Sequence, residues 1–191
     1  MPLLATPPGF GLLRQAEDCT LTIGPVAEQG ARPVHAACSW PEAHLDAIRS
    51  MILDYEAYPQ LIPLVERSEI VRRDGDRVLV HQVYKVPLLA RREAMLWMHA
   101  TEPPDGGVRV DWSVADGEVW TPAQGHVRVS ENRGFWEVAP RPGGGVAVVH
   151  QIAYDPGVHL PDWLISHFRT SGLASVMSDL RERATGAAGS P

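Results

Sequence analysis

Val108-Arg-Val-Asp-Trp-Ser-Val114 alternates without a break. In an extended chain successive side chains point to opposite sides, so Val108, Val110, Trp112 and Val114 share one face and Arg109, Asp111 and Ser113 the other. A strand of this kind belongs to an antiparallel sheet with one dry face and one wet face. The dry face needs a cover, and the rest of the chain is read for what supplies it.

Upstream, Arg92 to Thr101 is strand-like and is stopped by Pro103-Pro-Asp-Gly-Gly107. Before it, Glu69-Ile-Val-Arg-Arg73 leads through the turn Asp74-Gly75-Asp76 into a strand from Arg77 to Val86, stopped by Pro87. Downstream, a Gly/Pro-containing loop near 117–125 precedes short strands at His126 to Ser130 and Gly134 to Ala139. The turn Gly143-Gly-Gly145 then opens a last strand, Val146 to Tyr154, closed by Asp155-Pro-Gly157.

The two ends of the chain differ in kind. Residues 1–17 are rich in Pro and Gly and read as a loose arm. Cys19 to Val26 and Val34 to Trp40 read as a hairpin. Pro41 suits the first turn of a helix, in which Leu45, Ile48, Ile52 and Tyr55 recur at helical spacing through Asp54, with Tyr58-Pro59 ending it. From Pro161 to about Ala184, Trp163, Leu164, Phe168, Leu173, Val176, Met177 and Leu180 mark an amphipathic helix roughly 36 Å long, bent near Gly172. It is the only predicted element long enough to cover the dry face. The reading is one α+β domain over residues 18–185, with a frayed tail at 186–191.

Composition narrows the chemistry. Of 191 residues, 45% are hydrophobic and 21% charged, which excludes a disordered or fibrous chain. The net charge of -6 disfavours nucleic acid and anionic membranes as partners. Lys85 is the single lysine among 17 basic residues and does not follow glycine, so no phosphate-binding P-loop exists. GxSxG, HExxH, CxxC and a helix-opening GxGxxG are also missing. Eight histidines without a short His-x-His spacing predict no metal site, and nothing predicts a cofactor. The start of the chain does not read as a secretory signal, and no apolar run reaches membrane-span length, so a cytoplasmic protein without stable membrane insertion is expected. Oligomeric state is left open. Cys19 and Cys38 read either as two reduced, half-buried side chains or as a facing pair, since a turn centred on Glu28-Gln29 sets them opposite each other.

Three blocks carry a family likeness: Asp54-Tyr-Glu-Ala-Tyr-Pro-Gln-Leu-Ile-Pro63, Arg92-Glu93 at the start of a central strand, and Asp155-Pro-Gly-Val-His-Leu-Pro-Asp-Trp-Leu164 before the last helix. With them the chain from about Cys19 to Arg183 resembles the START-like proteins, which include polyketide cyclase/dehydrase and coenzyme-Q-binding domains of the birch-pollen-allergen-like superfamily. The resemblance implies a helix-grip: a curved antiparallel sheet wrapped around a long C-terminal helix, with short helices after the first hairpin, enclosing a cavity for an apolar molecule. It implies carriage or sensing of a lipid, quinone or polyketide-like partner, or alternatively aromatase/cyclase chemistry, since one fold serves both.

Strand parity and the last helix nominate the ligand-facing residues: Leu96, Met98, Val110, Trp112, Leu164, Phe168 and Met177, which otherwise simply fill a core. Arg92 shares the parity of Ala94, Leu96 and Met98, so its charge either turns inward toward a polar partner or sits at the rim. His150 alternates with Val148 and Ile152 and either is a satisfied core histidine or offers a polar group to a ligand. Trp40 and Trp163 read as anchors at helix starts, and Trp120 as a loop aromatic that either gates a cavity or packs down. No catalytic residue is assigned.

Overall fold

Residues 3–26, 31–87, 89–155 and 171–186 are described by the computed structural model. The strands are β1 (Gly11–Gln15), β2 (Cys19–Ile23), β3 (Val34–Trp40), β4 (Val65–Asp74), β5 (Arg77–Tyr84), β6 (Arg92–Thr101), β7 (Val108–Val114), β8 (Val127–Arg128), β9 (Glu131–Pro140) and β10 (Val146–Asp155). The helices among the described residues are α1 (Leu45–Leu53), α2 (Tyr58–Leu61) and α3 (Leu173–Gly186). The strands form one curved sheet in the order β1-β2-β3-β10-β9-β7-β6-β5-β4. Neighbours along that path are antiparallel, while β8 pairs parallel with the start of β6 through Arg92↔Val127 and Glu93↔Arg128.

The dry face follows the predicted alternation. One level across the sheet joins Ala100, Val110, Trp136, His150, Ala36 and Leu21, and the next joins Met98, Trp112, Gly134, Ile152 and Val34. This inner face is covered at one end by α1, which rests on β7 and β9 with Ile48 and Ile52 fully buried. The described part of the last helix packs on α1, α2 and β3 through Leu173, Val176, Met177, Leu180 and Ala184. Ser171 and Gly172 form a wide helical turn before it, where a bend was expected. The stretch 156–170, with Trp163, Leu164 and Phe168 and most of the third family-like block, lies outside the described residues.

Three local expectations are corrected. Residues 11–15 are not a loose arm but the edge strand β1, and Phe10 seats its ring edge-on to His35 at 6.0 Å. Pro41 lies in a turn before α1, which starts at Leu45. The helix does run to Asp54, whose carboxylate accepts from the Ala57 N–H at 3.3 Å, but Tyr58-Pro59 is not what ends it. Pro59 then lies in the first turn of α2, where its missing N–H costs nothing.

Of the two readings of the cysteines, the facing pair holds. Cys19 and Cys38 are directly opposite in the β2–β3 ladder and are joined as a disulfide, with Cα atoms 4.1 Å apart. That spacing suits the close, non-hydrogen-bonded kind of cross-strand pair. The bond closes a separation of 19 residues, so Cys19→Ala with Cys38→Ala is expected to cost about 2 to 3 kcal/mol. Urea midpoints of the double variant, and of the wild type with and without reductant, check this.

Candidate functional site

The inner face is largely apolar and is crossed by a continuous line of polar groups. The Trp112 Nε1–H donates to Asn132 Oδ1 at 2.9 Å, and Asn132 Nδ2 donates to Tyr84 Oη at 2.7 Å. Tyr84 Oη donates to Gln82 Oε1, and Gln82 Nε2 donates to Ser68 Oγ at 3.2 Å. An indole N–H can only donate, so Asn132 must turn its oxygen to Trp112, and the direction of the whole line follows. Ser68, Gln82, Tyr84 and Asn132 are buried on β4, β5, β5 and β9, which puts four side chains from three strands in one file. Burial pushes the Tyr84 phenol well above its ordinary value, so it is a hydrogen-bonding group and not a source of phenolate. Asn132→Leu would leave the Trp112 N–H and Tyr84 Oη each short of a buried partner. A loss of about 2 kcal/mol is expected, read by urea unfolding against Asn132→Asp at low pH as a partial mimic.

His150 stands beside this line. Its ring stacks on Trp136 at 3.7 Å and 21°, and on Trp112 at 5.6 Å and 25°. Nδ1 lies 3.2 Å from the Phe135 carbonyl oxygen, so in the neutral ring Nδ1 carries the proton and donates. Desolvation lowers the His150 pKa to about 3 against a smaller opposing pull from that carbonyl. Arg92, only 2% exposed, has turned inward as its parity required, and its Nη1 donates to the Ala90 carbonyl. Its charge reaches Tyr154, whose ring lies 5.6 Å from that of Tyr84 and whose phenol is raised by burial.

The predicted ligand-facing residues are thus largely brought together. Leu96, Met98, Val110, Trp112 and Met177 belong to one buried cluster, with His150 stacked against it and Arg92 on the same face. Ser68, Gln82, Tyr84, Asn132 and Trp136 were not anticipated. A polar side chain at an in-phase position of an apolar strand, such as Gln82 after Val78 and Val80, is the signal that points to them.

The outer face carries different chemistry. Glu93, 3% exposed, accepts from His81 Nε2 at 2.8 Å, from the Ala123 N–H at 3.1 Å and from His126 Nδ1. Burial pushes this carboxyl up, but the hydrogen bonds from His81, Ala123 and His126 outweigh it and hold the group below its ordinary value. Two histidines therefore share an acid that spacing alone did not reveal. Trp120 packs against His81 at 5.7 Å beneath Arg128, so it pins its loop to the outer face and does not gate the inner one. Among the described residues no three His, Cys, Asp or Glu side chains are arranged to hold a metal ion. An open depression of about 430 Å³ also lies outside, lined by Trp97, His99, Asp111 and Phe135 among others. Its Asp111 is paired with Arg109, and its His99 with Asp76, as on a solvated face.

Comparison with known proteins meets this geometry. The sequence profile of the family described as polyketide cyclase / dehydrase and lipid transport matches residues 43–181. The chain belongs to this family. A STAR-related lipid transfer protein from Xanthomonas axonopodis superposes with a TM-score of 0.77 at 21% identity, covering 92% of this chain and 98% of that one. Human StAR-related lipid transfer protein 5 gives 0.84 at 13% identity, covering 95% and 88%. The Zhui aromatase/cyclase of Streptomyces gives 0.53 at 15% identity, covering 83% and 99%. No curated protein matches the sequence. The family member described here therefore has the START helix-grip fold, as its sequence blocks implied. Among its described residues no helix is long and apolar enough to cross a membrane.

Proposed function

We propose that this protein binds and carries, or senses, a hydrophobic small molecule held against the inner face of the sheet. The observation that carries the reading is the composition of that face. Leu96, Met98, Val110 and Trp112 make a wall of apolar surface, crossed by a single file of hydrogen-bonding groups. Burying apolar ligand surface supplies the affinity, roughly 25 cal/mol per Å² before ordering costs, and a few polar groups set orientation. Leu164 and Phe168 are proposed to complete the wall from the C-terminal segment, and Met177 to line it, with Arg92 and His150 at its polar positions.

The low basicity of His150 supports binding over catalysis. A base with a pKa of about 3 is far from the value that serves proton abstraction at neutral pH. Native mass spectrometry of the purified protein, with solvent extraction of the same sample, tests the reading. One co-purifying apolar molecule per chain is expected. A bare chain that also fails to bind an apolar dye would overturn it, and turnover of a poly-β-ketone would favour an aromatase/cyclase instead. The cytoplasmic location expected from sequence has to accommodate the Cys19–Cys38 disulfide, which a reducing compartment disfavours. Thiol titration of protein taken directly from its native compartment tests that location.

A further inference from the structure

Two buried hydrogen-bond donors on the inner face, Trp136 Nε1 and Tyr154 Oη, have no partner among the described residues. An unpartnered buried donor is costly, so each is a place where an acceptor is wanted. The two stand at different levels. Trp136 is opposite His150 and Tyr154 is opposite Asn132, which separates them by four residues along β10. At about 3.3 Å per residue that is roughly 13 Å.

The surface between them is flat and apolar. Gly134 contributes no side chain there, and the Trp112 indole lies across it, with Cζ2 2.6 Å from where a Cβ would stand. That indole spans the gap: it stacks on His150 at one level and donates to Asn132 at the other. Its own N–H is used, so it offers only a face. The indole N–H of Trp40 is also unpartnered, but the level between it and Trp136 is filled by Val138, Val148 and Cys38, all fully buried.

We propose that the ligand is an elongated, flat, apolar skeleton with an oxygen acceptor at each end, one accepting from Trp136 Nε1 and the other from Tyr154 Oη. This rests on the reading of the inner face as an apolar-cargo site and narrows the cargo. A hydrocarbon chain with one polar head would leave one of the donors unmet, and a compact ligand would reach only one level. Tyr84 and Asn132, already saturated by each other and by Gln82 and Trp112, act as positioning residues for the Trp112 face.

The test uses three probes: a saturated steroid diketone with its oxygens at opposite ends, the monoketone, and the parent hydrocarbon. Binding is read by displacement of an apolar fluorescent dye from the full chain. Trp136→Phe and Tyr154→Phe each delete one donor and keep a ring, and melting curves confirm that both are folded. Each variant is expected to weaken the diketone about 5- to 10-fold and to leave the hydrocarbon unchanged, while the monoketone responds to only one of them. Should Trp136→Phe fail to fold, Tyr154→Phe still has to separate the diketone from the hydrocarbon. Hydrocarbon binding with no gain from the ketones overturns this inference and leaves the carrier reading standing. If none of the three displaces the dye from the wild type, this inference is overturned, and a chain that does not take up the dye at all overturns the carrier reading as well.

Discussion

Lowering the pH from about 6.5 to about 3 is expected to cost the folded protein up to about 5 kcal/mol through His150 alone. The cause is burial. Between two indoles a charged imidazolium loses its hydration, and the Phe135 carbonyl returns only part of that loss. The folded state therefore holds the ring neutral down to about pH 3, whereas the unfolded chain takes up a proton near 6.5. Over that window the unfolded state binds more protons, so stability rises with pH, is complete above 6.5 and is lost progressively below it. Burial lowers His35 as well, which adds in the same direction. An effect of this size rivals the whole stability of an ordinary domain. Urea unfolding at pH 7, 6, 5 and 4 reads the slope. His150→Asn keeps a donor toward Phe135 but cannot titrate, and its slope is expected to be flatter by as much as about 1.4 kcal/mol per pH unit. Parallel slopes for the two proteins would refute the assignment.

Gly134→Val is expected to lower stability by about 4 kcal/mol, or by roughly 10 °C in melting temperature. The glycine is needed for space and not for a left-handed backbone. A Cβ there would run into the Gln151 carbonyl oxygen of the neighbouring strand and the edge of Trp112. The carbonyl belongs to the β9–β10 ladder and cannot move without breaking it. Trp112 cannot move without losing both its bond to Asn132 and its stack on His150. Gly134→Ala tests the cause separately, because it adds the clashing atom without the bulk. If alanine were tolerated with an unchanged melting temperature, the close packing argued for this position would be wrong.

Much of the fold was legible because period-two alternation is strong where one face is dry. Val34–Trp40, Arg92–Thr101 and Val108–Val114 coincide with β3, β6 and β7, and parity within each strand grouped Arg92 with Leu96 and Met98, Val110 with Trp112, and His150 with Val148, groups that the register brings to one side. The strand β1 escaped because five residues next to Pro7-Pro-Gly9 carry no alternation to read. The polar file escaped for a different reason. Ser68, Gln82, Tyr84 and Asn132 meet only through the register and curvature of strands distant in sequence, and a pattern along one strand contains no information about register across three. The sharing of Glu93 by His81 and His126 was hidden likewise, since one partner sits on a neighbouring strand and the other comes from a loop.

The open ends of the sheet have a consequence for the protein in a crowded solution. Among the described residues β1 and β4 terminate the strand order, and an edge strand presents backbone groups on which another chain can pair. Both are interrupted, β1 by a bulge at Leu12/Arg14 and β4 by bulges at Val65/Arg67 and Ile70/Arg72, and the exposed side of β4 carries Glu66, Arg67, Glu69, Arg72 and Arg73. Bulges twist an edge out of register and charged side chains keep it hydrated, so a continuous ribbon of two copies is disfavoured. The rims of the sheet thus disfavour strand-by-strand pairing of two copies, whatever the inner face holds.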